Sequence, residues 1–285
     1  MSTRSISFSA QDDYSLAGNL YEPKLPNART VIISGATGVL QGYYAGYAQY
    51  LCDAGFLVLT YDYRGIGASS NKPADAPEPR MQDWGEQDLP AAIKWCRENC
   101  PNNQLLGVGH SIGGQMIGLA HNRDELSAQL NVASQYAHWS HWRQQPERFN
   151  SWLFFHLILP SITKIMGYFP GKILGSESLP VGVALDWARW GRQGNYNALS
   201  KAAPISKGFA DYAGKLRFYG FTDDKKFAPP ETVEKMPDLY QGANSDVIIK
   251  HPLDYDMSSI GHFGFFKSSM NKTAWQETSS WLLHV

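Results

Sequence analysis

The chain has 285 residues, of which 43% are hydrophobic and 18% are charged, and its formal net charge at pH 7 is -1. This length and apolar content suffice for one large α/β domain with an insertion, or for two modest domains. A nearly neutral chain lacks the basic face that phosphate neutralisation needs, so we expect no nucleic-acid partner.

The cysteine content and the apolar runs of the sequence indicate the cellular compartment in which we expect the protein. The three cysteines form no disulfide framework, which favours reduced thiols in the cytoplasm. Residues 1–7 lack the apolar centre of a signal peptide. The longest apolar run, residues 152–162, contains a histidine and a proline and is too short to cross a bilayer. We therefore expect a cytoplasmic protein without an integral membrane segment.

The first hundred residues alternate between strand and helix patterns. Apolar and polar residues alternate in two short runs around a polar turn, which predicts an antiparallel hairpin at a sheet edge. Pro90 lies inside a later helical pattern and predicts a kink or a start near Asp88. The predicted elements are strands at 5–9, 16–21, 30–34 and 56–61 and helices at about 42–54 and 84–100.

The sequence from 105 to 114 reads Leu-Leu-Gly-Val-Gly-His-Ser-Ile-Gly-Gly. It is an apolar strand that ends in Gly-x-Ser-x-Gly, with a helical pattern directly after it. The flanking glycines permit a turn so tight that a Cβ would strike the neighbouring strand or helix. Such a turn lifts the Ser111 hydroxyl above the sheet, so Ser111 is the candidate nucleophile.

The pattern changes between residues 138 and 202. This segment has no strand-like run, and prolines and glycines divide it into short helical pieces. We predict a helical cap insertion at 138–202, placed over the sheet edge where ligands bind, and a core formed by 1–137 and 203–285. Some of its aromatic side chains should line an apolar pocket, and its tryptophans are Trp139, Trp142, Trp152, Trp187 and Trp190.

Strand and helix patterns return after the insertion. Strands are predicted at 215–220 and 246–250, with helices at 230–240 and 274–284. Repeated strand–helix alternation predicts the α/β class, with a doubly wound and mostly parallel sheet.

A serine hydroxyl needs a base within hydrogen-bond reach to act as a nucleophile at neutral pH. Serines on turns of this kind take an acid and then a histidine, in that chain order, each from a loop after a strand. His262 follows the last predicted strand by one loop and is the candidate base. Asp223 follows the preceding strand and is the preferred acid, with Asp224 as the alternative, since the sequence does not separate them.

An oxyanion hole needs two N–H donors. Ile112, which follows the nucleophile, supplies one of them. The loop after the strand at 30–34 should supply the other, from Ala36 or alternatively from Thr37.

No metal or cofactor motif is present. His138 and His141 have helical spacing, but no third ligand is evident, so a packed or solvated pair is expected. The glycine-containing loop at 35–38 lacks the Gly-Lys-Ser/Thr ending of a phosphate loop and the spacing of a dinucleotide loop. We expect neither a metal nor a cofactor.

These motifs resemble the α/β-hydrolase superfamily, and in particular a bacterial group of predicted α/β hydrolases with an aromatic-rich helical cap. The likeness covers most of the chain and rests on the segments at 35–39, 61–69, 109–114, 167–171 and 261–266. One departure is Ser34-Gly35, where many relatives have His-Gly. The resemblance implies the α/β-hydrolase fold, but the superfamily includes enzymes of many kinds and idle receptors.

Three functions remain open on these residues. The first is a serine hydrolase that cleaves a small-molecule ester or thioester of small to medium apolar character through an acyl-Ser111 intermediate. The second is an acyltransferase that uses the same three residues with an alcohol or amine in place of water. The third is a catalytically idle protein that binds a small molecule.

Overall fold

The structure is a computed structural model that describes residues 2–71, 76–194 and 205–285. The strands in this part of the chain are β1 (Ser2–Ser9), β2 (Ser15–Glu22), β3 (Arg29–Ser34), β4 (Leu57–Tyr61), β5 (Gln104–His110), β6 (Leu126–Val132), β7 (Tyr168–Phe169), β8 (Leu179–Pro180), β9 (Lys215–Phe221) and β10 (Asn244–Lys250).

Eight of these strands form one sheet in the order β1-β2-β4-β3-β5-β6-β9-β10. The β1–β2 hairpin pairs antiparallel to β4, as the alternation predicts, and every pair from β4 to β10 is parallel. The predicted α/β class and mostly parallel sheet are thus confirmed. β4 and β5 lie on opposite sides of β3, which creates the crevice at the carboxyl ends of β3 and β5 where ligands bind in such sheets.

The described helices lie between the strands along the chain and after the last one. The α-helices are α1 (Ala45–Asp53), α2 (Met81–Asp83), α3 (Leu89–Asn99), α4 (Glu147–Leu153), α5 (Leu159–Met166), α6 (Val181–Gln193), α7 (Ile205–Asp211), α8 (Pro230–Val233) and α9 (Lys272–His284). Short 3-10 turns lie at Gln41–Tyr44, Gly67–Ser69, Ser111–Gly114, Met116–Leu119, Arg123–Glu125, Trp139–His141, Gly171–Ile173, Met236–Asp238, Pro252–Tyr255 and Gly264–Phe266.

Two helices contain a π-helical turn just before a proline. The turn Trp84–Asp88 precedes Pro90, and the turn Phe154–Ile158 precedes Pro160. A proline in a helix removes an N–H, and its ring crowds the carbonyl four residues back. The widened turn moves that carbonyl away and lets the helix continue past Pro90, where the sequence predicts a kink or a start near Asp88.

The segment after Ser111 differs from the predicted helix. It forms two successive 3-10 turns, Ser111–Gly114 and Met116–Leu119, because it passes too close to its neighbours for a regular helix with side chains. A Cβ on Gly114 would lie 2.0 Å from Ser134 Oγ, and a Cβ on Gly118 would lie 2.3 Å from the Phe209 ring.

Helices α4, α5 and α6 lie between β6 and β9 in the chain, where the insertion is predicted. The segment also contains a two-stranded antiparallel ladder, β7 with β8, which the sequence pattern did not indicate. The predicted boundary between residues 202 and 203 lies outside the described residues, so the limits of this unit remain a prediction.

Candidate active site

Ser111 lies at the tip of the turn between β5 and the following 3-10 turn. Its φ is +54°, a left-handed conformation that non-glycine residues rarely adopt. A Cβ on Gly113 would lie 2.1 Å from the Ser34 carbonyl oxygen, so the turn packs directly on the end of β3. Such strained backbone is typical of functional positions, and Ser111 is only 6% exposed.

His262 and Asp224 form a buried pair. The Asp224 carboxylate lies 2.6 Å from His262 Nδ1, and both side chains are nearly inaccessible to solvent. Burial alone would raise the pKa of Asp224, but the charge and hydrogen bond of His262, with N–H groups from Ala228 and Phe227, lower it below its ordinary value. The carboxylate therefore stays ionised and fixes the Nδ1–H tautomer of His262.

The preference for Asp223 over Asp224 as the partner of His262 is corrected by this geometry. The Asp223 carboxylate accepts hydrogen bonds from the Ile260 N–H at 2.8 Å and the Gly261 N–H at 3.0 Å. It therefore holds the backbone of the loop that precedes His262 and not the imidazole. Adjacent side chains on this loop point to different sides, and only Asp224 faces the ring.

The carbonyl groups of the same loop are held from the other side. His110 Nε2 lies 2.8 Å from the His262 carbonyl oxygen, and the Tyr43 hydroxyl donates to the Phe263 carbonyl oxygen. The His110 and His262 rings are 5.2 Å apart between centroids. Because His110 precedes Ser111 in the chain, these bonds place the His262 loop beside the serine turn.

The Ser111 hydroxyl donates to Gln135 Oε1, 3.5 Å away in the segment after β6. The backbone carbonyl of Gln135 in turn accepts from Gln115 Nε2 at 2.7 Å. Gln135 was not among the predicted site residues. The apolar run at 130–133, which ends two residues before Gln135, is the signal that could have identified it, because the carboxyl ends of parallel strands meet at one edge.

Of the predicted oxyanion donors, Ala36 is already engaged. Its N–H donates to the Tyr44 hydroxyl at 2.7 Å, so this N–H is not free to bind an oxyanion in the present arrangement. Among the residues the structure describes, the Thr37 N–H has no acceptor. The Ile112 N–H lies in the first turn of a helical segment, where no helical acceptor is available. The structure therefore favours the alternative pair, Thr37 with Ile112.

Tyr44 is the second residue that the sequence pattern missed. It is fully buried, and its hydroxyl contacts both Ala36 and His110 Nδ1, the latter at 2.9 Å. Nothing in a helical run of tyrosines distinguishes this residue from Tyr43 or Tyr47 before the fold is known.

The predicted histidine pair in the helical segment is packed and hydrogen-bonded. His138 and His141 lie 5.2 Å apart between ring centroids, and each ring bonds to a backbone carbonyl, of Arg192 and Tyr136 respectively. Within residues 2–71, 76–194 and 205–285, no three His, Cys, Asp or Glu side chains are arranged as metal ligands. In the same part of the chain no helix combines the length and apolar character needed to cross a membrane.

The chain is similar to several proteins of known sequence or structure. A segment of 110 residues is 29% identical to an uncharacterised 31.7 kDa protein of Escherichia coli from the traX-finO intergenic region. That match covers 38% of this chain and 35% of the relative, so it spans about a third of the relative's length.

Solved structures match over nearly the whole chain. The esterase domain of a Rhodothermus marinus protein has a TM-score of 0.63 at 15% identity, covering 100% of this chain and 99% of that one. An esterase of Pyrococcus furiosus has a TM-score of 0.62 at 14% identity, covering 99% and 89%. At this level of identity the likeness shows the fold.

A family model supplies the stronger match. Residues 25–173, more than half of the chain, match the family described as serine aminopeptidase, S33. This range contains β3, β5 and the turn at Ser111. The chain therefore belongs to the serine aminopeptidase S33 family and is an α/β hydrolase.

Proposed function

We propose that this protein is a serine hydrolase that cleaves an ester or thioester of small to medium apolar character through an acyl-Ser111 intermediate. The observation that carries the proposal is the buried His262–Asp224 pair, held beside the strained Ser111 turn by the bond between His110 and the His262 carbonyl. A nucleophile, a base and an orienting carboxylate in adjacent loops are the parts that acyl transfer requires.

The reaction proceeds in two stages on these groups. Ser111 Oγ attacks the carbonyl carbon while its proton passes to His262 Nε2, and Asp224 stabilises the imidazolium. The Thr37 and Ile112 N–H groups bind the resulting oxyanion. The C–O or C–S bond then breaks, and the alcohol or thiol leaves with the proton from His262.

Water completes the cycle. It attacks the acyl-Ser111 carbonyl as His262 takes its proton, and the acid is released when that proton returns to Ser111 Oγ. Because the serine turn and His262 are both about 6% exposed, substrate and water must enter past a cover. We assign that cover to the described part of the predicted cap insertion, residues 138–194.

The proposed substrate class rests on the aromatic residues of the insertion and on the similar solved structures. Buried aromatic side chains of the insertion include Trp142, Phe155 and Trp187, which favour an apolar acyl or alcohol group over a charged one. The solved neighbours from Rhodothermus marinus and Pyrococcus furiosus are esterases. The free cysteines are consistent with a cytoplasmic setting, which is part of the same proposal.

The test is a panel of p-nitrophenyl acyl esters, acyl thioesters and aminoacyl p-nitroanilides, assayed with the wild type and Ser111→Ala. We expect turnover of short and medium esters or thioesters, and a loss of about 10⁶-fold in kcat for Ser111→Ala with an unchanged circular dichroism spectrum. Turnover of the anilides alone would contradict the ester assignment, and full activity in Ser111→Ala would contradict the mechanism.

Acyl transfer to an alcohol or amine is the second candidate. The burial of Ser111 and His262 favours it, because a site that excludes bulk water slows hydrolysis of the acyl-enzyme. It requires that an added acceptor form the transfer product faster than the free acid appears. Product analysis by mass spectrometry, with and without a primary alcohol, separates the two activities.

A further inference from the structure

The hydrogen bonds of His110 define its protonation state. The ring is fully buried, with Nε2 2.8 Å from the His262 carbonyl oxygen and Nδ1 2.9 Å from the Tyr44 hydroxyl. A carbonyl oxygen only accepts, so Nε2 carries a hydrogen. Burial, with a smaller contribution from His262, lowers the pKa of His110 to about 3, so the ring is neutral and Nδ1 is an acceptor.

Tyr44 fixes the direction of the remaining bonds. Its oxygen accepts the Ala36 N–H at 2.7 Å, so its own hydrogen is free to donate to His110 Nδ1. Every donor from Ala36 to the His262 carbonyl oxygen therefore points the same way. We call this series of bonds, through Ala36, Tyr44, His110 and His262, the Tyr44–His110 relay.

The relay joins the elements that carry the reaction. It begins on the loop after β3, passes through the turn Gln41–Tyr44 and the end of β5, and ends on the loop of His262. Ring contacts restrain it, because Phe266 packs against Tyr44 with centroids 5.0 Å apart and against His110 at 4.9 Å. The oxyanion loop and the loop of His262 are thus joined by one series of hydrogen bonds.

We propose that His110 and Tyr44 are positioning residues that set the oxyanion loop and the His262 loop relative to Ser111. This proposal rests on the proposed function of the site. Neither side chain needs to touch the substrate. Tyr44 holds the Ala36 N–H, next to Thr37, and His110 holds the backbone carbonyl of His262. Displacement of a reacting group by about 1 Å can cost about 10²-fold in rate, so the loss of a restraint should lower kcat more than it changes KM.

The decisive variant is Tyr44→Phe. It keeps the buried ring and its packing but removes the hydroxyl, which frees the Ala36 N–H and leaves His110 Nδ1 without its donor. We expect kcat to fall about 10- to 100-fold with KM within about threefold. The matched control is Tyr47→Phe, which removes an equally buried hydroxyl bonded to Thr278 at 2.9 Å in α9, and should leave kcat unchanged.

Two substitutions at His110 test the donor to His262. In His110→Gln an amide N–H can replace imidazole Nε2–H against the His262 carbonyl, whereas His110→Leu has no donor. We expect the glutamine variant to retain at least ten times the kcat of the leucine variant. Equal kcat values in two variants of comparable thermal stability would overturn the positioning role of that bond.

The protonation state is measured separately by ¹⁵N NMR on histidine-labelled protein, with the His110 signals assigned by their absence in His110→Gln. The relay requires a neutral ring with hydrogen on Nε2 from pH 5 to 9. An imidazolium or an Nδ1–H tautomer would overturn it, as would equal kcat for Tyr44→Phe and Tyr47→Phe. If wild-type protein lacks turnover but shows the expected NMR pattern, the proposed function fails while the hydrogen-bond order stands, and the role in catalysis is overturned with it.

Discussion

Asp223 and Asp224 divide the work of holding the His262 loop. Asp224 bonds to the imidazole, and Asp223 bonds to the N–H groups of Ile260 and Gly261 just before it. Gly261 has a φ of +57°, a left-handed conformation that glycine adopts readily. One aspartate acts on the orientation of the base and the other on the conformation of the backbone.

This division predicts different outcomes for two similar substitutions. Asp224→Asn should lower kcat by about 10⁴-fold, because an amide can favour the wrong tautomer of His262. Asp223→Asn should lower kcat by less than about tenfold and reduce the free energy of unfolding by about 1 kcal/mol, since weaker acceptors face the two N–H groups. Steady-state kinetics and urea denaturation measure both, and a larger kcat loss in Asp223→Asn would contradict the assignment.

The burial of His110 predicts a pH dependence of stability. Its pKa is about 3 in the folded protein and about 6.5 in an unfolded chain, so between these values only the unfolded chain binds the proton. Stability is then complete above pH 6.5 and falls as the pH drops toward 3. The slope should be about 1 kcal/mol per pH unit near pH 5 from this group.

His110→Gln removes that contribution. We therefore expect its free energy of unfolding, measured by urea titration at pH 4.5, 5.5 and 6.5, to vary less with pH than that of the wild type. The difference in slope should correspond to about one proton fewer taken up on unfolding. His262 and Asp224, whose charges contribute to the pKa shift of His110, are present in both proteins. An identical slope in the two proteins would show that His110 titrates normally in the fold.

At the residue scale the sequence predicts Ser111 and His262 as site residues but does not predict the contacts around them. The Gly-x-Ser-x-Gly turn and the histidine after the last strand depend on local pattern and chain order, which a sequence displays. The distinction between Asp223 and Asp224 depends on the twist of a loop, and the engagement of Ala36 depends on a tyrosine eight residues away. Neither feature can be identified until the tertiary structure is known.

At the scale of elements, the turn after β5 requires the close approach of two backbones. Gly113 lies against the Ser34 carbonyl, so the turn at Ser111 and the end of β3 are packed without an intervening side chain. The 3-10 turns that replace the predicted helix follow from the same crowding. By contrast, the hairpin and the parallel strands were predicted correctly, because alternation and β-branched runs are local patterns.

Gly113→Ala tests this packing. A Cβ would lie 2.1 Å from a backbone oxygen that cannot rotate away, so we expect a loss of more than about 2 kcal/mol in the free energy of unfolding and severe loss of activity. Gly46→Ala in α1 is the control, because its Cβ would meet only the Trp275 ring at an ordinary 3.5 Å. Urea denaturation should show Gly46→Ala to be as stable as the wild type or more so. A Gly113→Ala variant of full stability would refute the close approach.

At the scale of the whole molecule, an ion pair connects the start of α2 to α6. Arg80, just before α2, makes two hydrogen bonds of 2.7 and 3.0 Å to the Asp186 carboxylate in α6. The Asp186 side chain is buried, whereas that of Arg80 is 41% exposed. The sequence contains no signal for this contact across 106 positions.

Breaking this pair should cost more than breaking a surface pair. We expect a coupling energy of about 1–2 kcal/mol in a double-mutant cycle of Arg80→Ala and Asp186→Ala, reduced by the solvent around Arg80. The exposed pair Lys94 and Glu98 in α3, 3.8 Å apart, should give at most about 0.5 kcal/mol in the same cycle. Equal coupling in the two cycles would mean that the Arg80–Asp186 contact does not secure α6.

The central claim is that His262, held by Asp224, activates Ser111. The direct measurement is labelling with a fluorophosphonate, in which Ser111 Oγ displaces fluoride from phosphorus and loses its proton to His262. Peptide mass spectrometry should find the adduct on Ser111 in the wild type and in Asp223→Asn, and little or none in His262→Ala and Asp224→Asn over the same time. Undiminished labelling of Ser111 in His262→Ala, or labelling confined to another residue, would contradict the account.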